Sequence, residues 1–509
     1  MCYPLIQSIN YQPPLQIFAQ FADQQGSIFF DSAECRRNCG RYSFIAVDPF
    51  EIFSSKNGVI KIGKRDFIGN PFIYLKQKLN QFNCEKHPDL PPFQGGVAGF
   101  FGYDLYQHLE NIPLHKIDDM QFPDMVLGFY DVVVAFDHEL EKAWIFSSGF
   151  PLSEKRERKE RAEKRLQWMS HIINQQKSSS ILNVEIIPGH LTKNNFSANV
   201  AKPTFENKFN AVIDRTFATD FKVERKDNQT IAANFTVDDY QYAVRQVIDY
   251  ILAGDIFEAC ISQRFKGFLP NGIKSFDLYC LLRSLNPAPF AAYINFFDMV
   301  IASASPERFL QLTQGKVESR PIKGTRSRGK TAAEDASLIK ELMNSEKDHA
   351  ENVMIVDLLR NDLSRVCKDH SVKVPQLCGL ETYATVHHLV SVITGQLNPG
   401  LSAIDLLCAT FPGGSITGAP KIRAMEIIAE IEPNQRGPYC GSIGYISFNG
   451  DMDSSIVIRT YAIKNNIVTF QAGGAIVADS DPLNEYQETL VKASALRNAL
   501  TIVNNATTE

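Results

Sequence analysis

Apolar and polar positions alternate with two different periods along this chain, and their order outlines its architecture. SIFFDSAE (27–34), RYSFIAVDPF (41–50) and GVIKIG (58–63) are rich in β-branched and aromatic residues and bounded by Gly, Asn and Pro, which predicts short strands. FIYLKQKLNQF (72–82) spaces its apolar residues every three to four positions and predicts a helix. VLGFYDVVVAFDHELEKAWIFS (126–147) has the pattern of a hairpin. SEKRERKERAEKRLQWMSHIINQQ (153–176) alternates charge sign around sparse apolar residues, the mark of a solvated helix. The polar stretch from there to about 235 reads as a connection.

From Thr236 the pattern sharpens. Thr236 and Asp239 form a capping pair ahead of YAVRQVIDYILAG, a helix that ends at Gly254. A strand over 256–268 and a helix over 276–287 follow, then antiparallel strands over 291–325. Residues 336–366 predict one long helix or two, and 401–411 and 421–431 two more helices. These flank the glycine loop PGGSITGAP (412–420), which ends in a proline suited to a first helical turn. Residues 441–477 read as a meander with turns at Asn449-Gly450 and Asn465-Asn466. A closing helix finishes the chain. Long antiparallel runs interrupted by helices imply an α+β fold with large, sandwich-like antiparallel sheets flanked by helices. The expected regions are 1–150, a charged helix and polar connection over 151–235, and a region of sharper helix and strand signals over 236–505.

Composition narrows the function classes. Hydrophobic residues make up 44% and charged residues 21%, as in an ordinary soluble protein. A net charge of −5 gives no electrostatic footprint for nucleic acid or an anionic membrane. The opening MCYPLIQSINYQ lacks the basic and apolar regions of a signal peptide. No apolar run approaches the ~18 residues that span a bilayer. The ten cysteines are scattered without metal-type spacing, so a reducing, cytoplasmic location is expected. P-loop, dinucleotide and GxSxG motifs are absent, and no cysteine sits in a GxCxG elbow that would hydrolyse glutamine.

The candidate chemistry centres on Pro321-Ile322-Lys323-Gly324-Thr325, at the exit of an apolar run. Sixteen residues upstream, Ser305-Pro306-Glu307 ends another such run, as if neighbouring strands delivered an amine and a carboxylate to one place. Lys323 reads either as a covalent nucleophile or as a plain turn lysine, and Glu307 as a proton-transfer group or a solvated carboxylate. Glu351 shares a helix face with Met354, Ile355 and Leu358, so it is either salt-bridged or a metal ligand. Glu485 and Glu488 share a face of the last helix, and carboxylates from separate helices suit an oxygen-ligated Mg²⁺. Strand alternation in SSIVIRTY puts Arg459 on a face with Ser455, Val457 and Tyr461, where it captures a carboxylate or meets solvent. The glycine loop is either an anion site or a tight turn. His387 and His388 are expected to face opposite ways.

Taken together, SPERF, RPIKGTR, AENVMIVDLLRNDLSRV, VHHLVS, FPGGSITGAPK, CGSIGY, IVIRT and EYQETLVKA resemble the chorismate-utilising enzyme family. That family includes component I of anthranilate synthase and of aminodeoxychorismate synthase. FFDSA, RYSFIAVDP and GGVAGFFGYD echo its N-terminal half more weakly. The resemblance implies binding of chorismate with Mg²⁺ on Glu351 and Glu488, with Glu485 nearby. It places Gly324, Thr325, Tyr439, Arg459 and the turn Gly473-Gly474-Ala475 at chorismate contacts. It makes Glu307 the acid–base carboxylate and sets His388 and Ser415 near the leaving hydroxyl and the ring.

PIKGT is similar to the aminodeoxychorismate synthase branch, whereas anthranilate synthases resemble PIAGT. The branch implies a covalent adduct of Lys323 at ring C2, loss of the C4 hydroxyl and addition of ammonia at C4. Ammonia would come from a separate glutamine amidotransferase subunit (component II), for 4-aminobenzoate and folate. Isochorismate and salicylate synthases resemble a pattern with lysine where this chain has Glu258. Three departures stand out. Glu258-Ala259-Cys260 replaces a Gln-Val-Asn type of segment, Ala475 replaces a glycine and would crowd the site at positive φ, and FFDS replaces the LLES of tryptophan-inhibited relatives. The rival expectations are an anthranilate synthase component I and a non-catalytic regulatory relative that binds chorismate or tryptophan.

Overall fold

Strands from both ends of the chain interleave within the same two sheets. The computed structural model describes residues 3–34, 39–113, 117–175, 231–383 and 386–505. Among these, the strands form two twelve-stranded antiparallel sheets. In the first, Ser27–Asp31 pairs with Phe290–Phe296, and Met299–Ser305 continues through Thr460–Lys464 and Ile467–Ile476 to Glu258–Phe268. In the second, Gly96–Phe101 pairs with Ser442–Ser447, and Met452–Ile456 continues through Arg308–Thr313 and Lys316–Ser319 to Val386–Gln396. The strand Ile322–Ser327 also pairs with Val386–Gln396 and closes this sheet.

The sheets pack face to face. Phe44, Ala46, Val133 and Ile294 of the first meet Ala98, Phe100, Val126 and Tyr445 of the second in one buried layer. Helices cover the outer faces. Lys155–Asn174 buries Ala162, Leu166, Met169 and Ile173, so the sparse apolar residues of this charged helix line one stripe. Thr236 and Asp239 close the expected capping box of Val237–Leu252. The acidic 336–366 segment is two helices, Ala332–Met343 and Glu346–Ser364, the second capped by Ser345. Among the described residues, no helix is long and apolar enough to cross a membrane.

Two expectations are corrected. Only Val132–Asp137 and Lys142–Ser147 form the hairpin expected over 126–147, because Met125–Tyr130 belongs to the other sheet. The chain changes sheets at Asp131, and strands buried on both faces carry no alternation to mark the change. The 441–477 meander likewise splits, with its first two strands in one sheet and its last two in the other.

Candidate active site

Glu307 and Arg459 both sit where the chain crosses between sheets. Glu307 lies between Met299–Ser305 and Arg308–Thr313, and Arg459 between Met452–Ile456 and Thr460–Lys464. The crossings are hydrogen-bonded to each other, Ile456 N donating to Glu307 O (3.1 Å) and Ala304 N to Arg459 O (3.1 Å). Arg459 is therefore not on a strand face as expected. Its φ of 54° bends the chain there, and its guanidinium donates to Lys492 O. Nor are the Glu307 and Lys323 segments neighbouring strands, since Met299–Ser305 and Ile322–Ser327 lie in different sheets.

Lys323 is aimed by a β-bulge. Ile322 pairs with Val390 and Thr325 with His388, so the lysine strand carries one extra residue between these rungs. Gly324 takes up the bend at φ 84°, and a Cβ there would lie 3.0 Å from Asp348 Cβ. Thr325 Oγ1 shares a 2.8 Å hydrogen bond with His388 Nδ1. His387 faces the other way, with Nε2 2.9 Å from Asp335 and Nδ1 2.9 Å from Thr382 Oγ1. The adjacent histidines thus divide as the alternation predicts.

The charges around Lys323 are mostly buried. Glu307 is 7% exposed, and burial pushes its carboxyl up to about 7 against the Ser415 hydrogen bond and the Lys323 charge. Ser415 Oγ donates to Glu307 Oε1 at 2.8 Å. Burial opposes the charged Lys323 ammonium, but the surrounding carboxylates, led by Glu258 and joined by Glu351 and Glu307, hold its pKa above the ordinary lysine value. Its closest ion pair is with Glu351, at 3.9 Å. Glu258, which the sequence marks only as a departure, is part of this electrostatic group. Burial raises its pKa, and Lys323 opposes the rise.

The acidic helices meet at a lysine. Lys347 Nζ lies 3.9 Å from Glu351 Oε1 and 3.6 Å from Glu485 Oε1, and Ser480 Oγ donates to Glu485 (2.7 Å). Glu488 lies one turn on and pairs with Lys492 at 2.5 Å. Gly474 leaves room for both carboxylates, since a Cβ there would lie 3.2 Å from Glu485 Oε2 and 3.3 Å from Glu488 Oε1. The donors are all hard oxygens and already flank a cation, which fits a divalent ion. As the side chains stand, no three described His, Cys, Asp or Glu residues are placed to hold a metal, and Lys347 fills the gap.

Gly473, Gly474 and Ala475 do not form a turn. They lie within Ile467–Ile476, paired with Ser262, Ile261 and Cys260. Ala475 is not among the residues with positive φ, so its methyl group imposes no backbone strain. The 412–420 loop is pinned to the neighbouring strand by Phe257 N to Ala419 O and Cys260 N to Thr417 O, both 2.7 Å. This fixes Ser415 within the turn Gly414–Ile416. Tyr439 stacks at 5.8 Å under Arg436, which is itself held by Glu432 at 2.8 Å. Away from these residues, a cavity of about 390 Å³ between the sheets is lined by Phe30, Asp31, Ser32, Arg308 and Tyr445, including part of the FFDS segment.

With this arrangement in place, comparison with known proteins defines the class: the chorismate binding enzyme family matches residues 26–498, and the chain belongs to it. Aminodeoxychorismate synthase component 1 of Escherichia coli is 38% identical over 461 residues, covering 90% of this chain and 89% of that protein. Anthranilate synthase component 1 of Acetivibrio thermocellus is 35% identical over 496 residues, covering 96% and 93%. The crystal structure of anthranilate synthase component I from Streptococcus pneumoniae superposes with a TM-score of 0.69 at 32% identity, covering 91% of this chain and 94% of that one. Both kinds of component 1 thus stand among its relatives at similar identity.

Proposed function

We propose that this chain is component I of an aminodeoxychorismate synthase, converting chorismate and ammonia to 4-amino-4-deoxychorismate in the cytoplasm, for 4-aminobenzoate and folate. The observation that carries this is Lys323, a primary amine turned out of its strand by the Gly324 bulge toward Glu351. Lys323 adds to ring C2 of chorismate while the C4 hydroxyl departs, and ammonia then enters C4 and releases the lysine. Glu307, with a carboxyl that titrates near neutrality, donates a proton to the departing hydroxyl. Ser415 orients that carboxyl, and Thr325 and His388, hydrogen-bonded to each other two residues beyond Lys323 and on the strand beside it, complete the site.

The free site keeps Lys323 charged, so the amine must give up a proton before it attacks. Glu351, Glu485 and Glu488 would hold Mg²⁺, whose charge would neutralise a substrate carboxylate and offset those that hold Lys323 protonated. Arg459, Tyr439, Gly324 and the strand Gly473–Ala475 complete the chorismate contacts. A glutamine amidotransferase subunit (component II) supplies the ammonia. Relatives named anthranilate synthase component 1 favour a second reading, amination at C2 with loss of pyruvate.

Incubation with chorismate, Mg²⁺ and ammonium, followed by mass and NMR analysis, separates the two. The expected product is 4-amino-4-deoxychorismate. Anthranilate, or recovery of unchanged chorismate, would overturn the proposal.

A further inference from the structure

Glu258 is fully buried, and neither Oε1 nor Oε2 has a hydrogen-bond partner. Burying a carboxyl in this way is costly unless something binds it. Its direction follows from its strand. Ala259 and Ile261 pack among Tyr240, Ile428 and Ile476, so Glu258 and Cys260 face the opposite side. On that side Cys260 Sγ donates to Ser415 O at 3.6 Å, and Ser415 in turn donates to Glu307. The unpartnered carboxyl therefore lies on the face that carries the acid–base group. Lys323 acts on this carboxyl through its charge but makes no hydrogen bond to it, and among the described residues its ion pair is with Glu351.

The chemistry of such a group selects its ligand. Two free, buried carboxyl oxygens repel the carboxylates of chorismate and attract a small group rich in N–H donors. Mg²⁺ sheds its water shell reluctantly and suits the more open carboxylates Glu351 and Glu488 better. We propose that Glu258 receives the nitrogen donor, accepting N–H hydrogen bonds from ammonium or ammonia beside Lys323 and Glu307. This rests on the amination reading above and adds the residue that positions the nitrogen.

The test is steady-state amination with ammonium chloride as the nitrogen source, comparing wild type with Glu258→Gln and Glu258→Asp. Loss of a charge-assisted acceptor should raise the ammonium KM of Glu258→Gln by about tenfold or more, with the chorismate KM changed by less than about twofold. Glu258→Asp, which keeps the carboxylate, should recover part of that loss. An unchanged ammonium KM, or an increase confined to the chorismate KM, would overturn the assignment while leaving amination intact. If wild type itself forms no aminated product from ammonium, the functional reading fails and this assignment fails with it. Thermal melts of both variants separate a folding defect, which lowers active protein without changing either KM, and that outcome also counts against the assignment.

Discussion

Ser415 Oγ donates to Glu307 Oε1 at 2.8 Å across the junction of the two sheets, and this bond opposes the rise that burial imposes on the carboxyl it touches. Burial raises Glu307 to about 7, while Ser415 and Lys323 pull it down. The group therefore changes charge near neutral pH.

If Glu307 is the proton donor, kcat falls as pH rises through about 7, and Glu307→Gln abolishes both the activity and that limb of the profile. Stability follows the same carboxyl. Its folded pKa is raised, so the folded state binds the proton more tightly, and stability declines as pH rises from the unfolded value of 4.5 through about 7. Glu307→Gln should match wild type near pH 4 and exceed it at pH 8 by up to about 3 kcal/mol in chemical denaturation.

Ser415→Ala removes a bond that favours the charged form of Glu307. The alkaline limb of the pH–rate profile should move up by about one pH unit, equivalent to about 1.4 kcal/mol. A downward shift would mean that the hydroxyl stabilises the neutral acid instead.

Gly324→Ala places a side chain at φ 84° with its Cβ 3.0 Å from Asp348 Cβ. The expected cost is about 1–3 kcal/mol of stability, together with a drop in kcat from a displaced Lys323. Thermal melts and steady-state kinetics on the same sample read both effects.

Periodicity and capping made most elements legible. The Thr236–Asp239 box, the Asn465-Asn466 turn and the opposed His387 and His388 all follow from local rules. What local rules do not carry is the assignment of a strand to one sheet or the other. Asp131 and the Ile456–Thr460 crossing look like continuous strand because both flanks are buried, and so alternation alone places Arg459 on a strand face. Gly473-Gly474 looks like a turn because glycine pairs usually are; here the missing side chains leave space for Glu485 and Glu488. Lys323 and Glu307 stood out as chemistry-bearing residues, whereas the unpartnered state of Glu258 is a property of three-dimensional packing alone.

Glu351 and Glu485 flank Lys347, so the proposed divalent ion would displace that ammonium. Glu351→Gln should raise the Mg²⁺ concentration for half-maximal activity at least about tenfold, and Lys347→Met should lower it. Titrating activity against Mg²⁺ after chelation measures both. An unchanged requirement in Glu351→Gln would remove this residue from the metal site.

Lys323 is the proposed nucleophile toward chorismate. Intact-protein mass spectrometry after incubation with chorismate and Mg²⁺, without ammonia, tests this role most directly. The expected result is an added mass of chorismate less one water, mapped by peptide digestion to Lys323 and lost on adding ammonium. No adduct at Lys323, with Lys323→Ala still forming 4-amino-4-deoxychorismate at the wild-type rate, would contradict that role.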